Sequence, residues 1–227
     1  MEIPVDDLIA TVDRLQSGKQ ATSIASVRAR ARQQEAQALE TWGEVQEICR
    51  TRTAFAHEWS YPSMFESAQD IVAVGISLNA IALTYSWENL IQSITSGRTR
   101  YRLCFLDPDG RHCREREEEE GLDPGSLSDL TRLNLRHLHV IQRRLCEQDP
   151  AWCDWLQLYT YDLAPRYNLY MVNNALLTVQ SDGCGRGEDT PTFVLRRTSD
   201  EGLFDFYAGV ARYILAHARP LEASAPQ

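Results

Sequence analysis

Lysine is nearly missing: of 23 basic residues, Lys19 is the only one that is not arginine. A phosphate-loop lysine, a Schiff-base lysine and a kinase-type strand lysine each need a lysine held in a structured site, so these chemistries are excluded. Lys19 lies between Gly18 and Gln20, in a turn near the N-terminus, and suits none of them. No C-x-x-C pair occurs among the six cysteines (Cys49, Cys104, Cys113, Cys146, Cys153 and Cys184), which removes the usual spacing of a structural zinc site. The first residues, MEIPVDD, carry acids where an export signal carries basic residues, and no apolar run is long enough for a membrane span. The expectation is therefore a cytoplasmic protein with reduced cysteines, no disulfide, no membrane partner, no cofactor and no metal. Excess positive charge is absent too, since the net charge is -9. DNA binding is then expected only through a partner or through the local cluster Arg28, Arg30 and Arg32.

What is present is a 43% hydrophobic chain of 227 residues, enough for one large domain with a core and an appendage. Residues 5–15 repeat apolar side chains at helical spacing, and a second helical stretch, polar in its first half, runs from 23 to about 49. Residues 1–50 read as an N-terminal helical arm. The β-branched run at 71–76 reads as a buried strand, the Trp87, Leu90, Ile91 and Ile94 spacing as a helix, and 101–106 as a second strand, which together make a βαβ unit. A helix over 128–146, strands at 156–161, 168–172, 176–179 and 193–196, and a helix over 203–218 follow. Asn173-Asn174 suits a tight hairpin turn. The fold class is α/β, a mixed β-sheet flanked by helices over 51–220, with a disordered tail at 221–227.

In such sheets ligands collect beyond the carboxyl ends of strands. That places Ser77 and Asn79 after the first strand, and Asp107 after the second, as cleft candidates; Asp109, in Pro-Asp-Gly, is turn chemistry. The charged run 114–120 reads as a solvated surface segment or the first turn of a helix, and alternatively as a lid that brings Arg116 and Glu118 over the cleft. His137 and His139 fall on different helix faces and do not act on one centre. His57 is a packed or exposed side chain, or a general base if its segment folds onto the cleft. Of Tyr167 and Tyr170 on the hairpin strand, one is expected to face the core and the other the cleft or solvent.

The order of elements resembles one half of a phospholipase D domain, in which the hairpin strand carries His-x-Lys-x-x-x-x-Asp. On that spacing Arg166, Asn168 and Asn173 occupy the three motif positions, and none matches. More closely, V-G-I-S-L-N-A (74–80), F-L-D-P-D (105–109), R-E-E-E-E-G (116–121), P-R-Y-N-L-Y-M-V-N-N (165–174) and G-L-F-D-F-Y (202–207) resemble a phospholipase D-like domain of actinobacteria that often follows a helix-turn-helix in regulators. An arginine is never a nucleophile and no lysine stands nearby, so the resemblance implies a domain that has lost phosphodiester chemistry. It would bind a small anionic ligand, bearing phosphate or carboxylate, or a protein partner, in a regulatory or sensing role and as a homodimer. Ser77, Asn79, Asp107, Arg116, Glu118, Arg166, Tyr167, Asn168 and Asn173 are the expected ligand-binding residues. The alternative is a transferase or hydrolase of specialised metabolism that uses Asn79, Asp107, Arg166 and Tyr167 with a non-histidine nucleophile, for which Cys184 is the candidate, or with a general base.

Overall fold

The structure is a computed structural model that describes residues 43–182 and 187–221. The expected helices up to residue 42, the Arg28/Arg30/Arg32 cluster, Cys184 and residues 222–227 lie outside the described residues. The described elements run β1 (Val45–Cys49), α1 (Arg52–Glu58), α2 (Tyr61–Glu66), β2 (Asp70–Gly75), α3 (Trp87–Thr95), β3 (Arg100–Leu106), α4 (Arg111–Glu119), α5 (Ser126–Gln148), β4 (Leu156–Tyr161), β5 (Tyr167–Val172), β6 (Leu176–Ser181), β7 (Thr192–Arg196), α6 (Leu203–His217) and β8 (Arg219–Pro220). One eight-stranded sheet results, in the order β1-β7-β6-β5-β2-β3-β4-β8. β2, β3 and β4 pair in parallel, and the remaining pairings are antiparallel. The protein is thus a mixed α/β sheet flanked by helices.

Successive strand residues point to opposite faces, and here both faces are apolar. Ile71 and Ala73 of β2, with Tyr101, Leu103 and Phe105 of β3, meet Phe55, Phe65, Leu90, Ile94, Leu138 and Ile141 from α1, α2, α3 and α5. Val72 and Val74, with Cys104 and Leu106, meet Phe204, Ala208 and Ala211 of α6 on the other face. Each large side chain buried in this way contributes about 1.5–3 kcal/mol, which is why β2 reads as an unbroken apolar run. The β5–β6 hairpin turns at Asn173 and Asn174, whose φ angles of 55 and 52 degrees suit a two-residue turn with both central residues left-handed.

Three expectations are corrected. Val45–Cys49, expected as the end of a helix, is an edge strand on β7, because Val45, Glu47 and Cys49 alternate with Gln46 and Ile48 at period two when a sheet edge is offered. The charged run is a helix, α4, in which Arg116 and Glu117 are buried. Cys146 and Cys153, expected to be unpaired, form a disulfide: the chain leaves α5 through a tight 3-10 turn that brings their Cα atoms to 4.8 Å, within bridging range.

Three helices without a side-chain cap of their own at the start, α4, α5 and α6, are capped from a distance. Glu44, fully buried, accepts from Phe204 N–H (2.9 Å) and Ser199 Oγ (3.2 Å) at the start of α6. Glu117 accepts from the N–H groups of Gly125, Leu127 and Ser128 at the start of α5, and Asp162 from those of Arg111 and His112 at the start of α4. These carboxylates satisfy donors that the helices cannot satisfy internally and sit at the positive dipole end. Gly202 and Gly110 make room for them: a Cβ there would stand 2.1 Å from Glu44 Oε2 and 2.5 Å from Asp162 Oδ1.

Candidate functional site

Beyond the carboxyl end of β2, where the parallel and antiparallel halves of the sheet diverge, a cavity of about 550 Å3 opens. Its polar wall comes from Arg52 on α1, Ser77 and Asn79 after β2, Asn168 on β5, and Gln180 and Asp182 at the end of β6. Ile76, Leu78, Leu122, Leu127 and Tyr170 supply apolar surface. Asp182, with its side chain fully buried, is the hub: Arg52 forms an ion pair with it and also donates to Ser181 O (3.0 Å). Asn168 Nδ2 donates to both Asp182 oxygens at 3.0 and 3.1 Å. Asn168 Oδ1 in turn accepts the Ile76 N–H at 3.0 Å, so the amide bridges the end of β2 to the end of β6.

Gly75 permits this bridge. A Cβ at that position would lie 2.1 Å from Asn168 Oδ1 and 2.9 Å from Leu78 Cδ2. Leu78 itself is buried at φ 46 degrees, in the left-handed region that costs a branched side chain free energy. Beneath the loop, Asn134 of α5 donates to Ser77 O (2.7 Å) and Asn79 Oδ1 (2.8 Å), which holds the strained turn in place. Gln180 donates to the Tyr61 hydroxyl. Burial raises the Tyr61 and Tyr170 hydroxyls well above the ordinary tyrosine range, so both stay neutral.

Of the residues expected from sequence, the structure brings Ser77, Asn79 and Asn168 into this cavity. Arg116 lies behind it: the side chain is buried, burial works against its charge, and Glu120, Glu119 and Asp182 more than restore it. Glu118 lies on a separate shallow surface with Arg114 and Arg132. Asp107 accepts from the Asp109 N–H and pairs with Arg219, away from the cavity wall. Arg166 is exposed and does not line the cavity, because the chain has not yet entered β5 at that point. Tyr167 turns to the other face, edge-on to Tyr207. Asn173 accepts the Gln69 and Asp70 N–H groups (2.7 and 3.1 Å) and ties the hairpin to the start of β2. His57 is exposed and is not among the lining residues.

Arg52, Tyr61, Asn134, Gln180 and Asp182 were not singled out from sequence. Asn134 was legible, since it falls on the inward face of α5 together with Leu127, Thr131, Leu138, Ile141 and Leu145. Arg52 and Asp182 are 130 positions apart and meet only through the fold.

A second cluster, Glu47, Cys49 and Glu58, brings its polar atoms within 4.8 Å of one another at the sheet edge. A hydrogen bond between Glu58 and Glu47 raises Glu58 and lowers Glu47, and the Trp59 indole donates to Glu47. Burial, then the two carboxylates, push the Cys49 thiol up to about 11.

The fold and cavity define a mixed α/β domain with a polar cleft at the strand ends. The chain belongs to the family described as Domain of unknown function (DUF5919), whose profile matches residues 41–210. No curated protein matches the sequence significantly. Among solved structures, the chain is similar to TrmBL2, an archaeal chromatin protein reported to show a novel mode of DNA binding (TM-score 0.46, 9% identity, 96% of this chain and 68% of that one). It is also similar to Nuc from Salmonella typhimurium, a phospholipase D family member (TM-score 0.41, 11% identity, 70% of this chain and 87% of that one). No described helix is long and apolar enough to cross a membrane.

Proposed function

We propose that this chain is a phospholipase D-like domain without phosphodiester chemistry, and that it binds a small ligand bearing a carboxylate or phosphate group in the cavity at the end of β2, in a sensing or regulatory role. One observation carries the reading: an arginine fork and three side-chain amides converge on a cavity of ligand size whose described lining holds neither histidine, lysine nor cysteine. The phospholipase D route, through a phosphorylated histidine with a lysine to stabilise the phosphoryl charge, needs residue types that this described lining does not hold. Of the three carboxylates on the described wall, Asp182 is held by Arg52 and Glu120 by Arg116, which lessens their opposition to an anion; Glu188 is the third. Selectivity then rests on directional hydrogen bonds from Arg52, Asn79 and Gln180, positioned by the Asn168 bridge, rather than on net charge.

The test is native mass spectrometry of gently purified protein, followed by thermal-shift titration with inorganic phosphate and with citrate. Bound mass or a saturable shift that Arg52→Gln abolishes and Arg166→Ala leaves intact is the expected result. Hydrolysis of a chromogenic phosphodiester by the purified chain, lost in Arg52→Gln, would overturn it. So would a ligand response that depends on Arg166 and not on Arg52.

A further inference from the structure

At the corner between α5 and β4, Cys146 in the last turn of α5 is bonded to Cys153 in the 3-10 turn Pro150–Trp155. We propose that this bridge is a reversible redox latch: oxidised, it clamps the last turn of α5; reduced, it lets that turn fray. Accessibility separates this pair from the other described cysteines. Cys146 and Cys153 are both partly exposed, whereas Cys49, Cys104 and Cys113 are buried and unpaired. Burial pushes those three thiols up to about 11, 12 and 11, so they stay protonated and do not enter thiol exchange. A thiolate must reach a sulfur to break a disulfide, and exposed bridges are the labile ones. The two cysteines are also only seven positions apart, so the bridge restricts the unfolded chain less than one that closes a longer loop. A short loop is thus a poor device for permanent stabilisation and a good one for reversible closure.

Reversibility follows from what holds the corner without the bridge. Asp149 caps the 3-10 turn: its carboxylate accepts the Ala151 N–H at 2.9 Å and its carbonyl the Trp152 N–H at 2.9 Å. Gln142 of α5 donates to Leu156 O at 2.7 Å, and the Arg100 guanidinium stacks on Trp155 at 4.8 Å. None of these contacts uses a cysteine, so the two thiols stay close after reduction and re-form the bridge within one molecule. The end of α5 is the element with two states. Of residues 145–148 only Leu145 is buried, so little packing holds this turn once the covalent tie is gone. The exchange moves two electrons. A thiolate of an external dithiol, or of glutathione, attacks one sulfur of the bridge, the S–S bond breaks, and the departing cysteine takes up a proton. A second external thiol attacks the mixed disulfide, frees the other cysteine as a thiol and leaves the reductant as a disulfide. Oxidised glutathione runs the sequence backwards.

The test is to equilibrate the folded full chain, without denaturant, in glutathione buffers from oxidised to reduced, and then to alkylate and map tryptic peptides. Cys146 and Cys153 share one tryptic peptide, 145–166, which is lighter by two hydrogens when bridged and takes two alkyl groups when reduced. This peptide is expected to convert reversibly between the two forms while Cys49, Cys104 and Cys113 stay unlabelled. Amide hydrogen exchange should quicken about tenfold at 145–156 in the reduced chain, with little change elsewhere. The double variant Cys146→Ser/Cys153→Ser should show the fast pattern in every buffer. A bridge that opens only in denaturant is a permanent one and overturns the proposal. So does a peptide that never bridges in oxidised glutathione, or a reduced chain that exchanges at 145–156 no faster than the oxidised one.

Discussion

Replacing Glu117 by alanine is expected to destabilise the domain by about 3–4 kcal/mol. The side chain stands in the middle of the charged run 114–120, yet it is 4% exposed and accepts three backbone N–H groups at 2.9, 3.0 and 2.9 Å. A hydrogen bond to a charged group contributes about 1.5–3 kcal/mol net, and the three are not additive because the freed donors regain some water. For a domain of this size, 1 kcal/mol moves the melting temperature by about 2–4 °C, so the loss is about 6–16 °C. Burial tends to raise the Glu117 carboxyl, but the N–H groups of Gly125, Ser128 and Leu127 outweigh it and hold the acid below the usual glutamate range. A depressed folded value means that the stabilisation is complete above the unfolded pKa and is lost as pH falls through the folded one. Glu117→Gln keeps the shape but turns an amide towards the Gly125 N–H, and it does not titrate. The gap between wild type and Glu117→Gln should therefore be wide at neutral pH and narrow at acid pH, as the pH falls below the ordinary glutamate range. Thermal melts followed by circular dichroism at both pH values decide the matter. A Glu117→Ala melt within about 2 °C of wild type, or a Gln gap independent of pH, would refute the capping argument.

Gly75→Ala should force Asn168 off both Ile76 and Asp182, costing about 1–3 kcal/mol as overpacking and abolishing any ligand response. The double variant Gly75→Ala/Asn168→Ala should melt higher than the sum of the single losses implies, and strict additivity would show that the two positions do not collide. Glu44→Ala should lower the urea midpoint by the equivalent of about 2–3 kcal/mol, since a fully buried acceptor of the Phe204 N–H is lost. An unchanged midpoint would mean that water replaces the carboxylate at no cost.

Much of the scaffold was legible because its signals are local. The β-branched run of β2, the helical spacing of α3, α5 and α6, and the paired asparagines of the hairpin each state their conformation within a few residues. β1 was misread as helix because a short edge strand has only a neighbour, not a pattern, to define it; Val45–Cys49 is extended where β7 offers a row of free backbone groups. The α4 run was ambiguous because composition counts charges without saying which of them a helix turns inward. All seven arginine and glutamate side chains of 114–120 could have faced solvent, and only the tertiary fold made Glu117 a cap for α5 and buried Arg116.

The chemistry divides in the same way. The near-absence of lysine and the loss of all three hairpin motif residues already excluded the usual phosphodiester mechanism, since residue types that are missing cannot be supplied by folding. Ser77 and Asn79, expected from the end of a strand, and Asn168, expected from the hairpin motif spacing, line the cavity because strand ends and strand parity set where such side chains go. The Arg52–Asp182 pair and the Asn168 bridge were decided only by tertiary structure. Arg52 lies 130 positions from Asp182 and Ile76 lies 92 from Asn168, and a hydrogen bond or ion pair depends on separations of a few ångströms that no local pattern encodes.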